Sequence, residues 1–324
     1  MLSESALRDI TVFSGSANPE FAEEMCDILG IELSPARTTR FSNDCLQVQL
    51  RANCRQRDVF IVQPLVPPVQ EHLVELCLML DAARGASAAH ITAVIPHYAY
   101  ARSDKKDAPR ISIGGRLVAD MIAASGATRV VTMALHAPQV HGFFSIPVDH
   151  LSAVAELADH FKQTDLTDTV VVSPDLGNAK VATQLARRLG LPVAAGSKRR
   201  LADDTVVIDN IVGDVQGKNV IVFDDEIATA GSIVELLRKL RSEGAQQVSL
   251  ACTHGLFTGP AIDRLKGEPD IAEIVITNTV PLAPEKRLPN MVTRSVAPLF
   301  AEAVRRINCG ESVSSLFSDE PTYG

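Results

Sequence analysis

The chain has 324 residues, room for two ordinary domains, and its 46% hydrophobic and 22% charged residues exclude a disordered or fibrous polypeptide. Its 31 Lys and Arg against 39 Asp and Glu leave a net charge of −8, and with 4% aromatics and no Trp it offers neither bulk positive charge nor a stacking platform for nucleic acid. An anionic ligand must therefore be held at a local site.

The N-terminal MLSESALRDITVF has no basic segment leading into an apolar one, and no window reaches the roughly 18 apolar residues of a membrane span. A cytoplasmic protein without membrane or nucleic-acid partners is expected. Cys26, Cys45, Cys54, Cys77, Cys252 and Cys309 show no CxxC pairing and read as reduced thiols.

The first apolar run, DITVF at 9–13, reads as a strand, and DVFIV at 58–62 as a second. Between the latter and the strand HITAVIP at 90–96, Leu73, Leu76, Cys77 and Leu80 recur at helical spacing, the stripe of a helix packed on a sheet. YARSDKKDAPR at 100–110 is polar and without periodicity, an exposed, mobile loop suited to a lid, and a helix follows near Ile113. After the strand RVVTMAL at 129–135, SIPVDHL at 145–151 offers a junction, dividing an N-terminal domain at 1–148 from a C-terminal one at 149–299. The second half continues with strands TVVVSP at 169–174, NVIVF at 219–223, QVSLA at 247–251 and IVIT at 274–277. Its helix stripe is Ile233, Leu236, Leu237 and Leu240, and Gly190 and Gly244 each stop a helix after a basic turn. Strands alternating with helices predict an α/β fold whose sheets are mostly parallel and flanked by helices.

The strongest local signal is NVIVFDDEIATAGS at 219–232, an apolar strand ending in two acids, then a small-residue loop, then a helix beginning at Gly231-Ser232. Ligands of open α/β sheets collect at the carboxyl ends of strands, where a loop entering a helix points free N–H groups at an anion. Small side chains at Thr229, Ala230, Gly231 and Ser232 let the backbone wrap a phosphate. Asp224 and Asp225 repel a phosphate but accept hydrogen bonds, so a ribose phosphate, with its vicinal hydroxyls, satisfies both parts. In GSKRR at 196–200, an extended backbone places Lys198 and Arg200 on one face. Two converging cations suit phosphoryl-group transfer, where catalysis is mainly positioning and charge neutralisation. Asp175, after one strand, is a natural Mg²⁺ partner, whereas His136, after another, is an uncommon ligand for so hard a cation and is equally suited to a phosphate.

The segment 219–232 resembles the phosphoribosyl-binding loop of the phosphoribosyltransferase superfamily. Together with SPDLG at 173–177, GSKRR, FSND at 41–44, YARSD at 100–104, LHAPQVHGFF at 135–144 and ESVSSLF at 311–317, in that family's order, the chain resembles ribose-phosphate diphosphokinases from about residue 9 to 317. The resemblance implies two phosphoribosyltransferase-like domains, with the tail 300–324 packing back on the first. It implies transfer of the β,γ-diphosphoryl group of ATP to the 1-hydroxyl of ribose 5-phosphate, with Mg²⁺ as cofactor, for nucleotide biosynthesis. Lys198 and Arg200 would be catalytic, Arg200, Asp224, Asp225 and residues 228–232 would bind ribose 5-phosphate, and His136 and Asp175 would attend the metal. Phe41, Asn43, Asp44, Cys45, Arg102, Ser103, Asp104 and His136 would bind ATP. Use of the Phe41 segment across a subunit boundary implies a homo-oligomer, a dimer or hexamer.

The chain also departs from that pattern. Ala228 stands where an acid is usual, Ala230 where a glycine is, Ser232 for Thr, FSNDC for FSDGE, and Ala134 for an Asp. These departures leave open a non-catalytic or regulatory relative, and more distantly a phosphoribosyltransferase.

Overall fold

Val- and Ile-rich runs at 58–62, 90–95, 129–133 and 169–173 carry apolar side chains on both faces, the pattern of interior strands covered by helices on either side. In the computed structural model they are the middles of two sheets. The structure describes residues 9–202 and 205–316, and of 198–202 and 205–207 the backbone alone. The chain divides into two compact units: one comprises its residues up to Ser152 with Thr279–Pro281 and the segment from Val296 on, the other Ala153–Asn278 with Leu282–Ser295.

The first unit is built on β1 (Ile10–Ser14), β4 (Asp58–Val62), β5 (His90–Ile95), β6 (Arg129–Met133) and β7 (Val148–Leu151), five parallel strands in that spatial order. Between the first two strands the chain forms α1 (Pro19–Leu29) and an antiparallel hairpin, β2 (Ala36–Arg40) with β3 (Leu46–Leu50). Asn18 caps α1 by accepting the Phe21 N–H, Pro19 opens it, and Gly30 closes it at φ 71°. Helices α2 (Val69–Gly85) and α3 (Gly114–Ser125) complete the βα alternation. Near the chain's end, α8 (Ala297–Cys309) returns to this unit, with the rings of Phe21 and Phe300 edge to face, centroids 5.4 Å apart, and Asn308 donating to Asp58 at 2.8 Å. The border of the units falls four residues after the expected 148, which leaves β7 whole in the first sheet.

The second unit opens with α4 (Val154–Phe161), β8 (Thr169–Ser173) and α5 (Ala179–Leu189), the helix stopped by Gly190 at φ 68°. Strands β9 (Val193–Ala202) and β10 (Thr205–Val212) form an antiparallel pair. There follow β11 (Asn219–Ile227), α6 (Gly231–Ser242), β12 (Val248–Gly255), α7 (Ala261–Lys266), β13 (Ile271–Thr277) and β14 (Met291–Arg294). The seven strands lie in the order β10-β9-β8-β11-β12-β13-β14, parallel from β9 to β14. Ile233, Leu236, Leu237 and Leu240 of α6 are all buried in this unit's core. No helix among the described residues is long and apolar enough to cross a membrane.

Candidate active site

The centre of the second sheet is where the acids collect. The sequence ends the strand in the two acids, but β11 runs on past them to Ile227, because β12 pairs with it as far as Gly255. Asp224 and Asp225 therefore sit in extended backbone at the carboxyl end of the strand, Asp224 opposite Cys252. β8 is the parallel neighbour of β11, so the turn leaving β8 arrives beside these acids. In that turn Asp175 Oδ1 accepts the Asn178 N–H at 3.0 Å, and the Asn178 side-chain Nδ2 donates to Asp224 Oδ1 at 3.2 Å and to Asp225 Oδ1 at 3.5 Å. Gly196 of β9 belongs to the same arrangement: a Cβ there would stand 2.7 Å from the Pro174 carbonyl, so only glycine lets β9 pass the turn this closely.

Burial, then the charge of Asp225, then that of Asp175, pushes the Asp224 carboxyl well above the usual carboxylate range. Beneath it Cys252 is buried, its thiol likewise pushed well up by burial first and the neighbouring acids next, and it donates to backbone carbonyls of Asp225 and His254. A thiol in that state is a packing group, inert as a nucleophile.

The loop that follows is braced from behind. Thr258 N–H donates to the Ala228 carbonyl at 2.9 Å, and Leu256 and Phe257 N–H groups both donate to the Ile227 carbonyl. Ala230 is the N-cap of α6, held in the left-handed region at φ 58° and ψ 10°, and buried. A left-handed alanine is strained, and such strain persists only where the surroundings impose it. The N–H groups of the first helical turn, beginning at Gly231, thus open beside the acid pair. Arg264 of α7 adds a cation that no motif singles out: Nη1 donates to the Thr229 carbonyl at 2.9 Å and stands 3.2 Å from where a Gly231 Cβ would be. Only the fold brings it there, across 35 residues of chain.

Lys198 and Arg200 lie in β9, opposite Ile208 and Val206 of β10, and their side chains lie outside the described residues. Asp175 belongs to the second unit and His136 to the first. No group of three or more His, Cys, Asp or Glu side chains that could hold a metal occurs among the described residues. Mg²⁺, however, keeps several waters and takes one or two carboxylates plus substrate phosphates, and the crowding of Asp175, Asp224 and Asp225 suits such a cation.

In the first unit, His136 is exposed on the turn after β6, which Ala134 enters at φ 43°. The turn is fixed by His150 of β7, whose Nε2 accepts the Leu135 N–H at 2.8 Å. Burial, and next His141, lower the His150 pKa to about 4, so the ring is neutral and able to accept. Arg102 ends a helical turn, Ala99–Arg102, with its side chain exposed. Ser103 has a local duty, its Oγ accepting the Gly114 N–H at 2.8 Å at the start of α3, and Asp104 accepts from Gln139. At the tip of the β2–β3 hairpin Phe41 is 48% exposed. Asn43 Oδ1 accepts the Cys45 N–H at 3.2 Å and Asp44, at φ 72°, takes Arg40 at 2.6 Å, so these polar residues shape the turn while the ring stands outward. Cys45 is an exposed free thiol. The hairpin is pinned to α2 by Glu75, which accepts Thr38 Oγ1, Ser16 Oγ and Gln63 Nε2, and by the ion pair of Arg40 with Glu71.

Two mostly parallel sheets flanked by helices, one of them carrying an acid pair and a strained helix-opening loop at its carboxyl edge, define an α/β protein of the phosphoribosyltransferase type. Residues 10–126 match the N-terminal domain of ribose phosphate pyrophosphokinase, and 206–318 the phosphoribosyl synthetase-associated domain. A putative ribose-phosphate pyrophosphokinase of Streptomyces coelicolor is 63% identical over 97% of this chain and 99% of its own length, and a ribose-phosphate pyrophosphokinase of Deinococcus radiodurans is 50% identical over 95% and 98%. The crystal structure of phosphoribosylpyrophosphate synthetase from Mycobacterium smegmatis superposes with a TM-score of 0.87 at 38% identity, covering 93% of this chain and 99% of that one. The chain belongs to the ribose-phosphate pyrophosphokinase family.

Proposed function

We propose that this protein transfers the diphosphoryl group of ATP to ribose 5-phosphate. The observation that carries the reading is the acid pair at the end of β11 followed directly by the loop whose strained Ala230 opens α6. Asp224 and Asp225 accept hydrogen bonds from the ribose hydroxyls, and the N–H groups of residues 228–232 hold the 5-phosphate. The 1-hydroxyl oxygen attacks the β-phosphorus of ATP; its bond to that phosphorus forms as the bond to the oxygen bridging the α-phosphorus breaks, AMP leaves, and the hydroxyl proton passes to solvent. Lys198 and Arg200 neutralise charge on the group in transit, and Arg200 also reaches toward the sugar phosphate. Phe41 stacks on adenine beside Asn43, Asp44 and Cys45, while Arg102, Ser103, Asp104 and His136 meet the ATP phosphates. Asp175 of the second unit and His136 of the first are each assigned to Mg²⁺ by the family resemblance, and the cation would supply charge neutralisation on the polyphosphate.

The working form is a homo-oligomer in the cytoplasm, feeding nucleotide biosynthesis. The test mixes protein, ATP, Mg²⁺ and ribose 5-phosphate: AMP should appear in step with the sugar diphosphate. Steady ADP release, or no turnover by the purified chain, would overturn the reading. Lys198→Ala should lose roughly 2–4 kcal/mol of transition-state stabilisation, read as a fall in kcat, by analogy with deleting one preorganised donor.

A further inference from the structure

Asn178 is the N-cap of α5, and asparagine is among the best capping residues because its side-chain oxygen can accept an N–H of the first turn. Here its side chain makes no such bond. Asp175 supplies the acceptor for the turn instead, taking the Asn178 backbone N–H, and the amide of Asn178 is turned across to β11, where Nδ2 lies 3.2 Å from Asp224 Oδ1 and 3.5 Å from Asp225 Oδ1. One amide nitrogen carries two hydrogens, so it can serve both carboxylates at once. Asp224 Oδ1 also receives the Asp225 backbone N–H at 3.0 Å, which fixes that edge of the carboxyl group further.

We propose that Asn178 is a positioning residue for recognition of the ribose diol, bracketing the Oδ1 atoms of Asp224 and Asp225 so that the pair presents a fixed set of acceptors to two adjacent hydroxyls. The inference rests on the sugar site proposed above. A neutral donor is suited to the task. Lysine or arginine in its place would neutralise the acids and weaken their hold on hydroxyl donors, whereas the amide orients them and leaves their charge. A site built to hydrogen-bond a hydroxyl discriminates strongly against an analogue lacking it, because its buried polar groups are then left unpaired. The specificity this bracket creates is therefore for ribose over 2-deoxyribose.

The experiment is calorimetric binding of ribose 5-phosphate and of 2-deoxyribose 5-phosphate, in magnesium buffer, to the full chain and to its Asn178→Ala and Asn178→Ser variants. The unaltered chain should prefer the ribose form, and Asn178→Ala should shrink that preference about tenfold, the equivalent of one hydrogen bond to a charged group, with affinity for the deoxy sugar little changed. Serine offers the first turn a capping hydroxyl that Asn178 does not supply but cannot reach β11, so Asn178→Ser should be at least as thermally stable as the unaltered chain and still lack the preference. A preference retained in the alanine variant, or restored in the serine variant, would overturn the inference, as would an unaltered chain that binds both sugars equally. A chain that shows the preference and its loss yet forms no AMP upholds the role of Asn178 and rejects the catalytic reading alone. Absence of ribose 5-phosphate binding rejects both.

Discussion

Ala230 and His150 show how single residues hold the two candidate substrate regions in shape. Ala230 occupies a left-handed conformation that glycine adopts without penalty. Replacing it by glycine should relieve roughly 1 kcal/mol of strain, read as a rise in the denaturant midpoint with unchanged slope. His150 acts through its charge state. Its pKa falls from 6.5 to about 4 on folding, so between those values the unfolded chain binds more protons than the folded one. Stability is therefore complete above pH 6.5 and falls as the pH drops toward 4, by up to about 3 kcal/mol at 1.36 kcal/mol per unit. Denaturation at pH 4.5 and 7.5 should show this slope in the parent and its loss in His150→Gln, whose amide oxygen can still accept from Leu135. The sequence identifies His136 by its position after a strand, but nothing in the residues around His150 distinguishes it from a core histidine, because its partner, Leu135, lies in the turn that leaves the neighbouring strand.

Among the elements, those legible in sequence are the ones whose pattern is local. The eight apolar runs read as strands are strands, and α6 begins at Gly231 as its small-residue loop implies. The β2–β3 hairpin is missed because ARTTR and LQVQL alternate without apolar strength, each strand half covered at best. Strands β7, β10 and β14, likewise not singled out in the sequence, are edge strands of their sheets. The strand was expected to end in the two acids and runs on past them to Ile227, since the length of β11 is set by pairing with β12 rather than by its own residues. The same logic hides Arg264, whose helix α7 has only six residues and no distinguishing motif. Held against the Thr229 carbonyl and beside Gly231, Arg264 fixes that oxygen and places a positive charge at the loop. Arg264→Ala should raise the KM for ribose 5-phosphate about tenfold with little change in the KM for ATP, the loss expected for one charge-assisted hydrogen bond. Equal changes in both constants would reject the assignment.

For the molecule as a whole, the division into two units is unequal in one respect. The second is nearly continuous in sequence, whereas the first is completed by α8, which brings Phe300 against Phe21 and Asn308 against Asp58, 250 residues away in the chain. Phe300 is fully buried, so Phe300→Ala should cost roughly 3–5 kcal/mol, detectable as loss of the first unit's unfolding transition at the parent's midpoint. The closure has a consequence for biosynthesis. Domains ordinarily fold in the order in which they leave the ribosome, N-terminal first. Here the N-terminal unit waits, with the apolar face of α1 uncovered, until α8 has been translated, while the later unit can fold around β8 to β14 beforehand. Synthesis order and folding order are thus reversed, and a prematurely terminated chain exposes Phe21 and its neighbours as a surface that chaperones and proteases can recognise.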